Sequence, residues 1–277
     1  VNIPVNDRFG MRTDLLAAAY AEARERGLLP FAVVGSACST ATGSYDDLEA
    51  VADFCAGHGL WFHVDGAHGG AAVVSEKYKA LVRGIGRADS VVVDFHKMLL
   101  TPALATAVVF RRGDDGFGTF QQKAHYLWHN QQSHEWFNLG KRTFECTKVM
   151  MSVKVYAALR TYGEALFAAN VDYLYNLGRR LGEMIGERPA LELATPPQAN
   201  IVCFRCATEG GDVERENELN GRIRRELLQE GRFYLVQTSL RGKLYLRVSL
   251  MNPFTTEAHL EEMLEAVIAK GMLNVEC

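Results

Sequence analysis

Two stretches of the sequence decide the fold, WFHVDGAHGG over residues 61–70 and SVVVDFHK over residues 90–97. Each begins with apolar and β-branched residues, as a buried strand does, and continues into polar side chains. In open α/β sheets, ligands bind outside the carboxyl ends of the strands. Asp65 and Lys97 lie in these polar segments and are about 30 residues apart, the length of one β-α-β unit. We therefore expect both side chains at one rim of a sheet.

The flanking sequence alternates between strand and helix patterns. Apolar runs and helical periodicity predict strands over 31–36, 60–64, 90–94 and 104–110, and helices over 13–26 and 46–58. Strands separated by helices are typical of parallel β-α-β units whose sheet is covered on both faces. Residues 1–150 are therefore predicted to belong to a three-layer α/β domain.

The pattern changes after residue 112. Residues 113–138 are polar, turn-rich and aromatic, and a connection of this length predicts a mobile loop with a functional role. The remaining segments have the periodicity of helices over 143–162, 164–187, 216–230 and 256–270, with a break at Gly163, and of strands over 200–206 and 243–249. Residues 151–277 are accordingly predicted to form a linking helix and a small α+β domain.

Charge and hydropathy exclude several kinds of partner. The chain has 277 residues with 30 basic and 33 acidic side chains, a formal net charge of −3. Such a balance provides no overall field that would attract nucleic acid or anionic lipid. No apolar run approaches the roughly 20 residues that a membrane span needs. We predict no nucleic-acid partner and no membrane partner.

The cysteines leave two interpretations open. Of six cysteines, Cys203 and Cys206 form the close pair, in CFRC. A zinc or redox site is one reading, but no second CxxC or histidine pair completes a set of four ligands. The other reading is a strand that buries both as small apolar residues.

No signal peptide opens the chain, which predicts reduced thiols and a cytoplasmic location. Because the chain begins at Val1 rather than Met, we expect a fragment or a processed product.

An acid and a lysine at one rim suit pyridoxal phosphate. This cofactor needs a lysine amine for its Schiff base and a carboxylate that faces its ring nitrogen. If the strand continues past Asp65, alternation points Ala67 to the same side, where a small residue fits under the ring. His96, next to Lys97, is a candidate donor to the phosphate. The alternatives are structural, namely an aspartate that caps a helix and a solvated lysine.

A metal site is a further alternative. His63, Asp65 and His68 lie close together in HVDGAH and would suit a hydrolase that activates water on a metal ion. We expect no acidic or histidine partners from comparable strand ends to complete such a ligand set. The prediction is therefore that no metal is bound.

The motifs together closely resemble those of the group II pyridoxal-phosphate-dependent amino acid decarboxylases. The matching segments are HVDGAHGG at 63–70, ADSV at 88–91 and HK at 96–97, and the resemblance extends from FAVVG at 31–35 to RVSLMNPFTT at 247–256. That family includes glutamate, aromatic amino acid, cysteine sulfinate and diaminobutyrate decarboxylases. The resemblance implies an α/β fold of the aspartate aminotransferase type, fold type I, with the large domain present in part and a small C-terminal domain.

The resemblance also implies roles for single residues. Lys97 corresponds to the Schiff-base lysine and Asp65 to the partner of the ring nitrogen. Ala67 would pack on the ring face, and His96 would contact the phosphate region. Thr40 falls in the family's threonine-rich turn near the cofactor. The part of the family that precedes these motifs, with the residue that stacks on the outer ring face, has no counterpart in this chain.

Tyr126 lies in the loop whose tyrosine protonates the carbanionic intermediate in this family; the alternative is a surface aromatic residue. Two positions depart from the family pattern. Asp94 stands where asparagine is common, and a carboxylate near a phosphate is repulsive unless a cation compensates it. Cys38 stands where the family has glycine.

The function predicted on this basis is pyridoxal-phosphate-dependent decarboxylation of an L-amino acid to its amine and carbon dioxide. The family also implies a homodimer. Two alternatives stay open at this point: another enzyme of fold type I, such as a carbon–carbon lyase or an aminotransferase, and a non-catalytic fragment of a decarboxylase.

Overall fold

A four-stranded sheet forms the first part of the structure, a computed structural model that describes residues 1–120, 137–145, 148–207 and 210–273. Its strands, in spatial order, are β1 (Ala32–Ser36), β2 (Trp61–Asp65), β3 (Ser90–Asp94) and β4 (Thr106–Phe110). The first three are parallel, as predicted. β4 is antiparallel to β3, because the short segment 95–105 has no room for the crossover that a parallel partner requires.

Helices α1 (Leu16–Glu25) and α2 (Leu48–His58) precede β1 and β2. α2 begins where the Asp47 side chain accepts a hydrogen bond from the Ala50 N–H, and it ends at Gly59 with φ 64°. One face of α2 is buried in the core with the sheet; it comprises Leu48, Val51, Ala52 and Cys55.

The segment predicted as a loop over 113–138 is partly helical. Helix α3 spans Gly113–Thr119, and the prediction was wrong there because acidic residues in a first helical turn stabilise it. Asp114 and Asp115 occupy that turn, and Asp115 pairs with Arg112 at 2.9 Å. Residues 121–136 lie outside the described part of the chain.

The long helix α4 (Met151–Gly186) leads from the first part of the chain to the second. Gly163 has φ 72° and ψ 175° inside it, which confirms the predicted break. The predicted start near residue 143 was wrong. The Thr143 hydroxyl accepts from the Glu145 N–H and donates to the Glu145 carbonyl, a local pattern that competes with helix formation.

A second, antiparallel sheet follows, in the order β5-β6-β8-β7. Its strands are β5 (Leu191–Leu193), β6 (Ile201–Cys206), β7 (Val236–Leu240) and β8 (Lys243–Ser249), and its helices are α5 (Val213–Glu230) and α6 (Glu257–Leu273). The sequence predicted neither β5 nor β7. β5 has three residues, and β7 is a polar strand with an exposed face, so neither shows the apolar run of a buried strand.

Cys203 and Cys206 are buried on opposite faces of β6. The Cys203 thiol donates to the Ala41 carbonyl at 3.1 Å, whereas the Cys206 thiol approaches the Val267 carbonyl at 3.9 Å. Burial raises the pKa of both thiols to about 12. The pair is therefore not a joint metal or redox site, and the interpretation as a strand with buried cysteines is confirmed.

The second half of α4 packs against two apolar cores. Phe167 and Val171 belong to the core of the first sheet, while Leu181 and Ile185 belong to the core that β6, α5 and α6 share. Among the described residues, no helix combines the length and hydropathy needed to cross a membrane.

Gly178 provides a test of this packing. A Cβ there would lie 2.4 Å from the Ala199 carbonyl oxygen, so Gly178→Ala forces α4 away from the backbone that precedes β6. We expect a loss of about 1–3 kcal/mol in the free energy of unfolding, measured by urea denaturation. Gly186→Ala, on the same helix with nothing within 4 Å of its Cβ, is the matched control. An equal effect of both changes would contradict this packing.

Candidate functional site

The carboxyl ends of β1, β2 and β3 meet at one rim of the first sheet. Asp65 pairs with Ser36 on one side and with Val92 on the other, so the last residue of β2 lies at the centre of the rim. The Ala37 N–H donates to the Asp65 carbonyl at 2.7 Å and holds the turn after β1 against it. A ligand at this rim therefore meets the turns that follow all three strands.

Asp65 projects an exposed side chain from this rim. Its Oδ1 accepts the Ala67 N–H at 3.2 Å, and the strand ends at Asp65. The condition on which Ala67 would point to the same side as Asp65, a strand that continues past Asp65, is not met, because this local hydrogen bond folds the chain into a turn. The Ala67 carbonyl then accepts the Asp94 N–H at 3.2 Å, which places the backbone of Ala67 beside the end of β3.

Lys97 follows β3 and is held by the last residue of that strand. Its Nζ lies 2.7 Å from Asp94 Oδ2, and the Thr106 hydroxyl donates to Asp94 Oδ1 at 2.6 Å. Burial opposes ionisation of Asp94, but the hydrogen bonds from Lys97 and Thr106 outweigh it and lower the pKa of this carboxyl. The carboxylate that departs from the family pattern is thus compensated by a cation.

The charges of Asp65 and Lys97 both act on Cys38, in the turn after β1. Burial raises the pKa of this thiol to about 12; the carboxylate of Asp65 raises it further and the ammonium of Lys97 lowers it. Both charges therefore lie within range of one buried sulfur atom. Asp65 ends β2 and Lys97 lies three residues after the end of β3, so the predicted carboxylate and lysine are at the carboxyl ends of two neighbouring parallel strands.

His96 and Thr40 border the same rim. The Nδ1 atom of His96 lies 3.0 Å from the Ala105 carbonyl oxygen and 3.1 Å from the Ala105 nitrogen, while its Nε2 lies 3.8 Å from Asp94 Oδ2. Thr40 is exposed in the turn after β1. Tyr126, predicted to act in catalysis, lies outside the described residues, and the roles predicted for His96 and Thr40 remain predictions.

Sequence reasoning did not find Arg247 as a neighbour of the site. Its guanidinium donates to the carbonyl of Thr40 from β8, across 207 positions of the sequence. Its positive charge also acts on the imidazole of His68. A contact between residues so distant leaves no local pattern from which it could be predicted, although Arg247 begins the RVSLMNPFTT segment that resembles the family.

Met98, the residue after Lys97, is anchored from two sides. Asn170 of α4 donates from Nδ2 to the Met98 carbonyl at 2.9 Å. Asn200, before β6, donates to the Met98 sulfur at 3.1 Å and to the Leu250 carbonyl at 2.6 Å. All three side chains are buried or nearly so. The turn that carries Lys97 is therefore fixed by α4 and by the second sheet together.

His68 joins the same network. The Asn200 amide nitrogen is committed to donating, so its Oδ1 accepts from His68 Nε2 at 2.8 Å, which requires a proton on that nitrogen. Burial lowers the pKa of His68 below its ordinary value of 6.5. The folded protein therefore keeps this imidazole neutral near pH 7.

The burial of His68 predicts that the free energy of unfolding depends on pH. The unfolded chain takes up a proton at His68 near pH 6.5 while the folded chain resists it, so stability is lost as the pH falls below about 6.5. His68→Gln keeps an amide donor for Asn200 but removes the titration. We expect a smaller loss of unfolding free energy in this variant between about pH 7.5 and 5.5, measured by urea denaturation. Equal losses in the two proteins would contradict the prediction.

The metal alternative finds no ligand set in the described ranges. His63 Nδ1 lies 2.7 Å from the Ser90 hydroxyl, whereas His68 turns towards Asn200. No three His, Cys, Asp or Glu side chains in the described part of the chain are grouped to hold a metal ion.

The donor set fits pyridoxal phosphate. Lys97 keeps 30% of its side chain exposed, so its amine is accessible to a ligand, and an exposed carboxylate lies on the neighbouring strand. An accessible lysine amine and a carboxylate at the carboxyl ends of parallel strands are the groups that a pyridoxal-phosphate-binding α/β enzyme requires.

The comparison with protein families names the class more closely. The family model described as "Pyridoxal-dependent decarboxylase conserved domain" matches residues 1–207, and the chain belongs to this family. An aromatic-L-amino-acid decarboxylase of Bacillus atrophaeus is 30% identical over 96% of this chain and 55% of its own length. An L-2,4-diaminobutyrate decarboxylase of Acinetobacter baumannii is 27% identical over 98% of this chain and 53% of its own.

Solved structures confirm the predicted fold type I. The glutamate decarboxylase domain from Vibrio parahaemolyticus has a TM-score of 0.82 and 29% identity, and it covers 100% of this chain and 53% of that one. An Oryza sativa structure with PLP and tryptamine has a TM-score of 0.90 at 23% identity, which shows the shared fold; it covers 98% of this chain and 57% of that one. The chain spans about half the length of the relatives it matches.

Proposed function

We propose that the whole protein is a pyridoxal-phosphate-dependent carboxy-lyase that converts an L-amino acid to its amine and carbon dioxide. The observation that carries the proposal is that Lys97 and Asp65 share one rim in a chain of the pyridoxal-dependent decarboxylase family. When bound, the cofactor supplies a ring that accepts the electron pair left as a bond to the substrate Cα breaks.

Each residue at the rim would have a separate role. The amine of Lys97 is the nucleophile that holds the cofactor covalently. The carboxylate of Asp65 would serve as the partner of the ring nitrogen and favour a proton there. Ala67 would leave room for the ring, and His96 and Thr40 would contribute to the phosphate region.

Tyr126 is proposed as the group that delivers a proton to the substrate carbon, since a phenol hydroxyl is both a donor and an acceptor. The substrate is proposed to be an amino acid. Relatives bear the names of aromatic, diaminobutyrate and acidic amino acid decarboxylases, so all three kinds of side chain belong in the test.

The test uses the full translation product of the gene, reconstituted with pyridoxal phosphate and offered a panel of L-amino acids together with a 2-oxo acid as amino-group acceptor. We expect carbon dioxide and amine in equal amounts from at least one of them. Transfer of the amino group to a 2-oxo acid without carbon dioxide would identify an aminotransferase instead. An absence of any turnover, with the cofactor bound, would contradict the proposed activity.

We also propose a homodimer, a cytoplasmic location, and the division into residues 1–150 and 151–277. Large apolar side chains are exposed around the start of α4, among them Val149, Met150 and Tyr156, which supports association with another chain. Four described cysteines are free thiols, in keeping with a reducing compartment. Sedimentation of the full translation product tests the dimer.

A further inference from the structure

The Asp94 carboxylate is held at the rim by two partners. Its side chain is 11% exposed, and each oxygen has its own partner, Lys97 Nζ at 2.7 Å for Oδ2 and the Thr106 hydroxyl at 2.6 Å for Oδ1. Partly buried pairs such as this one are screened by salt much less than surface pairs.

The two neighbouring strands explain why this carboxylate is fixed. Asp94 pairs with Thr106 in the antiparallel register of β3 and β4, which places the hydroxyl directly opposite the carboxylate. On the other side, the Asp94 N–H donates to the Ala67 carbonyl at 3.2 Å. The backbone and both oxygens are therefore held before any ligand arrives.

We propose that Asp94 is a positioning residue that holds the Lys97 amine as an ammonium ion at the rim and so restrains its reaction with an aldehyde. This inference rests on the proposed role of Lys97 as the residue that attaches the cofactor. An asparagine at this position would orient the nitrogen without the negative charge.

The proposed restraint acts on the first chemical step by which an amine attaches to an aldehyde. The ammonium must first lose one proton to solvent, because only the neutral amine carries a free electron pair. The nitrogen then bonds to the aldehyde carbon, loses its two remaining protons, and the carbonyl oxygen leaves as water. Asp94 stabilises the starting ammonium by charge and hydrogen bond, so it raises the free energy needed for the first step.

Other ionisable or charged groups lie near this pair among the described residues. His96 Nε2 is 3.8 Å from Asp94 Oδ2, and the charge of Lys97 acts on His68 after β2 and on Cys38 after β1. Asp65 at the end of β2 and Arg247 on β8 act in turn on Cys38 and on His68. Burial keeps the Cys38 thiol and the His68 imidazole neutral between about pH 7 and 9. In the described part of the chain, Asp94 is the acidic side chain paired with Lys97 Nζ.

The test measures the reactivity of Lys97 without cofactor. Trace acetylation with acetic anhydride, followed by peptide mass spectrometry, gives the labelling rate of each lysine as a function of pH. In Asp94→Asn we expect the Lys97 profile to move to lower pH, with a rate at pH 8 about 10-fold higher than in the wild type. Lys79, on the surface beside Glu76, serves as the internal reference. Asp94→Glu, which keeps the charge, should stay near the wild-type profile.

A control variant and a second variant at the Asp94 site show whether a change in the Lys97 profile is specific to the charge of Asp94. Asp53→Asn removes a surface partner of Arg87 and should leave the Lys97 profile unchanged. Thr106→Val keeps the charge of Asp94 but frees its Oδ1, and we expect an intermediate displacement. If Asp94→Asn does not fold, the Lys97 labelling profile of Thr106→Val alone tests the proposal. Coincident Lys97 profiles in the wild type and in every folded variant would overturn the proposal.

Failure of this inference and failure of the proposed function give different results. The labelling experiment needs no cofactor, so a displaced profile supports the role of Asp94 whether or not decarboxylation occurs. Borohydride trapping of pyridoxal phosphate then gives the rate of attachment at pH 7.5, which we expect to rise in Asp94→Asn. A displaced labelling profile with no trapped cofactor on Lys97 would count against the proposed function alone.

Discussion

Lys97→Ala is expected to abolish covalent attachment of pyridoxal phosphate. The alanine has no amine, and Lys97 is the lysine that follows β3 at the rim where β2 ends in Asp65. Borohydride reduction followed by peptide mass spectrometry should find the label on the peptide that contains Lys97 in the wild type and on no peptide in the variant. The visible absorbance of the bound cofactor should disappear as well.

The control for this prediction is Lys79→Ala, which removes an exposed lysine that pairs with Glu76. It should retain both the label and the absorbance. Circular dichroism establishes that both variants are folded; Lys97 is partly exposed, and its removal leaves the carboxylate of Asp94 with the Thr106 hydroxyl. Undiminished attachment in Lys97→Ala would remove this residue from its proposed role.

The first sheet could be predicted because short, local sequence patterns specify its strands. Each of β1, β2 and β3 is a short apolar run, and α2 shows its buried face as a helical repeat. The direction of β4 depends on the length of the connection before it, and the start of α4 depends on the hydrogen bonds of Thr143. Periodicity carries neither kind of information.

The same distinction between local and long-range information applies to the residues of the candidate site. The positions of Asp65 and Lys97 at the rim could be predicted because Asp65 ends β2 and Lys97 follows β3, and parallel strands bring their carboxyl ends to one rim. The contact of Arg247 with Thr40 and that of Asn200 with His68 join residues 207 and 132 positions apart. Such contacts exist only once α4 and the second sheet have packed against the first.

Asp94 illustrates a third case. The sequence shows a carboxylate where the resembled family has asparagine, and the expectation of repulsion from a phosphate followed from that identity alone. The structure adds Lys97 and Thr106 as partners, which turn an isolated charge into one half of an ion pair. The identity of a residue can be read from the sequence, but its partners cannot.

The second large effect is expected for Asp65→Asn, which should lower kcat for decarboxylation by about 10²–10³-fold. A carboxylate opposite the ring nitrogen favours the protonated ring, and a neutral amide does so far less. The change is nearly isosteric, and the amide oxygen can still accept the Ala67 N–H that closes the turn. The variant therefore removes the charge while the local backbone is kept.

Cofactor attachment separates the chemical role of Asp65 from a structural one. Lys97 is intact in Asp65→Asn, so borohydride trapping should still label it, while the rate of carbon dioxide release from the best substrate of the panel falls. Asp53→Asn, which removes an exposed carboxylate paired with Arg87, should change neither measurement. If Asp65→Asn turned over at the wild-type rate, the carboxylate would have no part in the chemistry. If attachment were lost together with turnover, Asp65 would act by shaping the turn, because a charge that serves only the ring nitrogen is not needed to hold an amine and an aldehyde together.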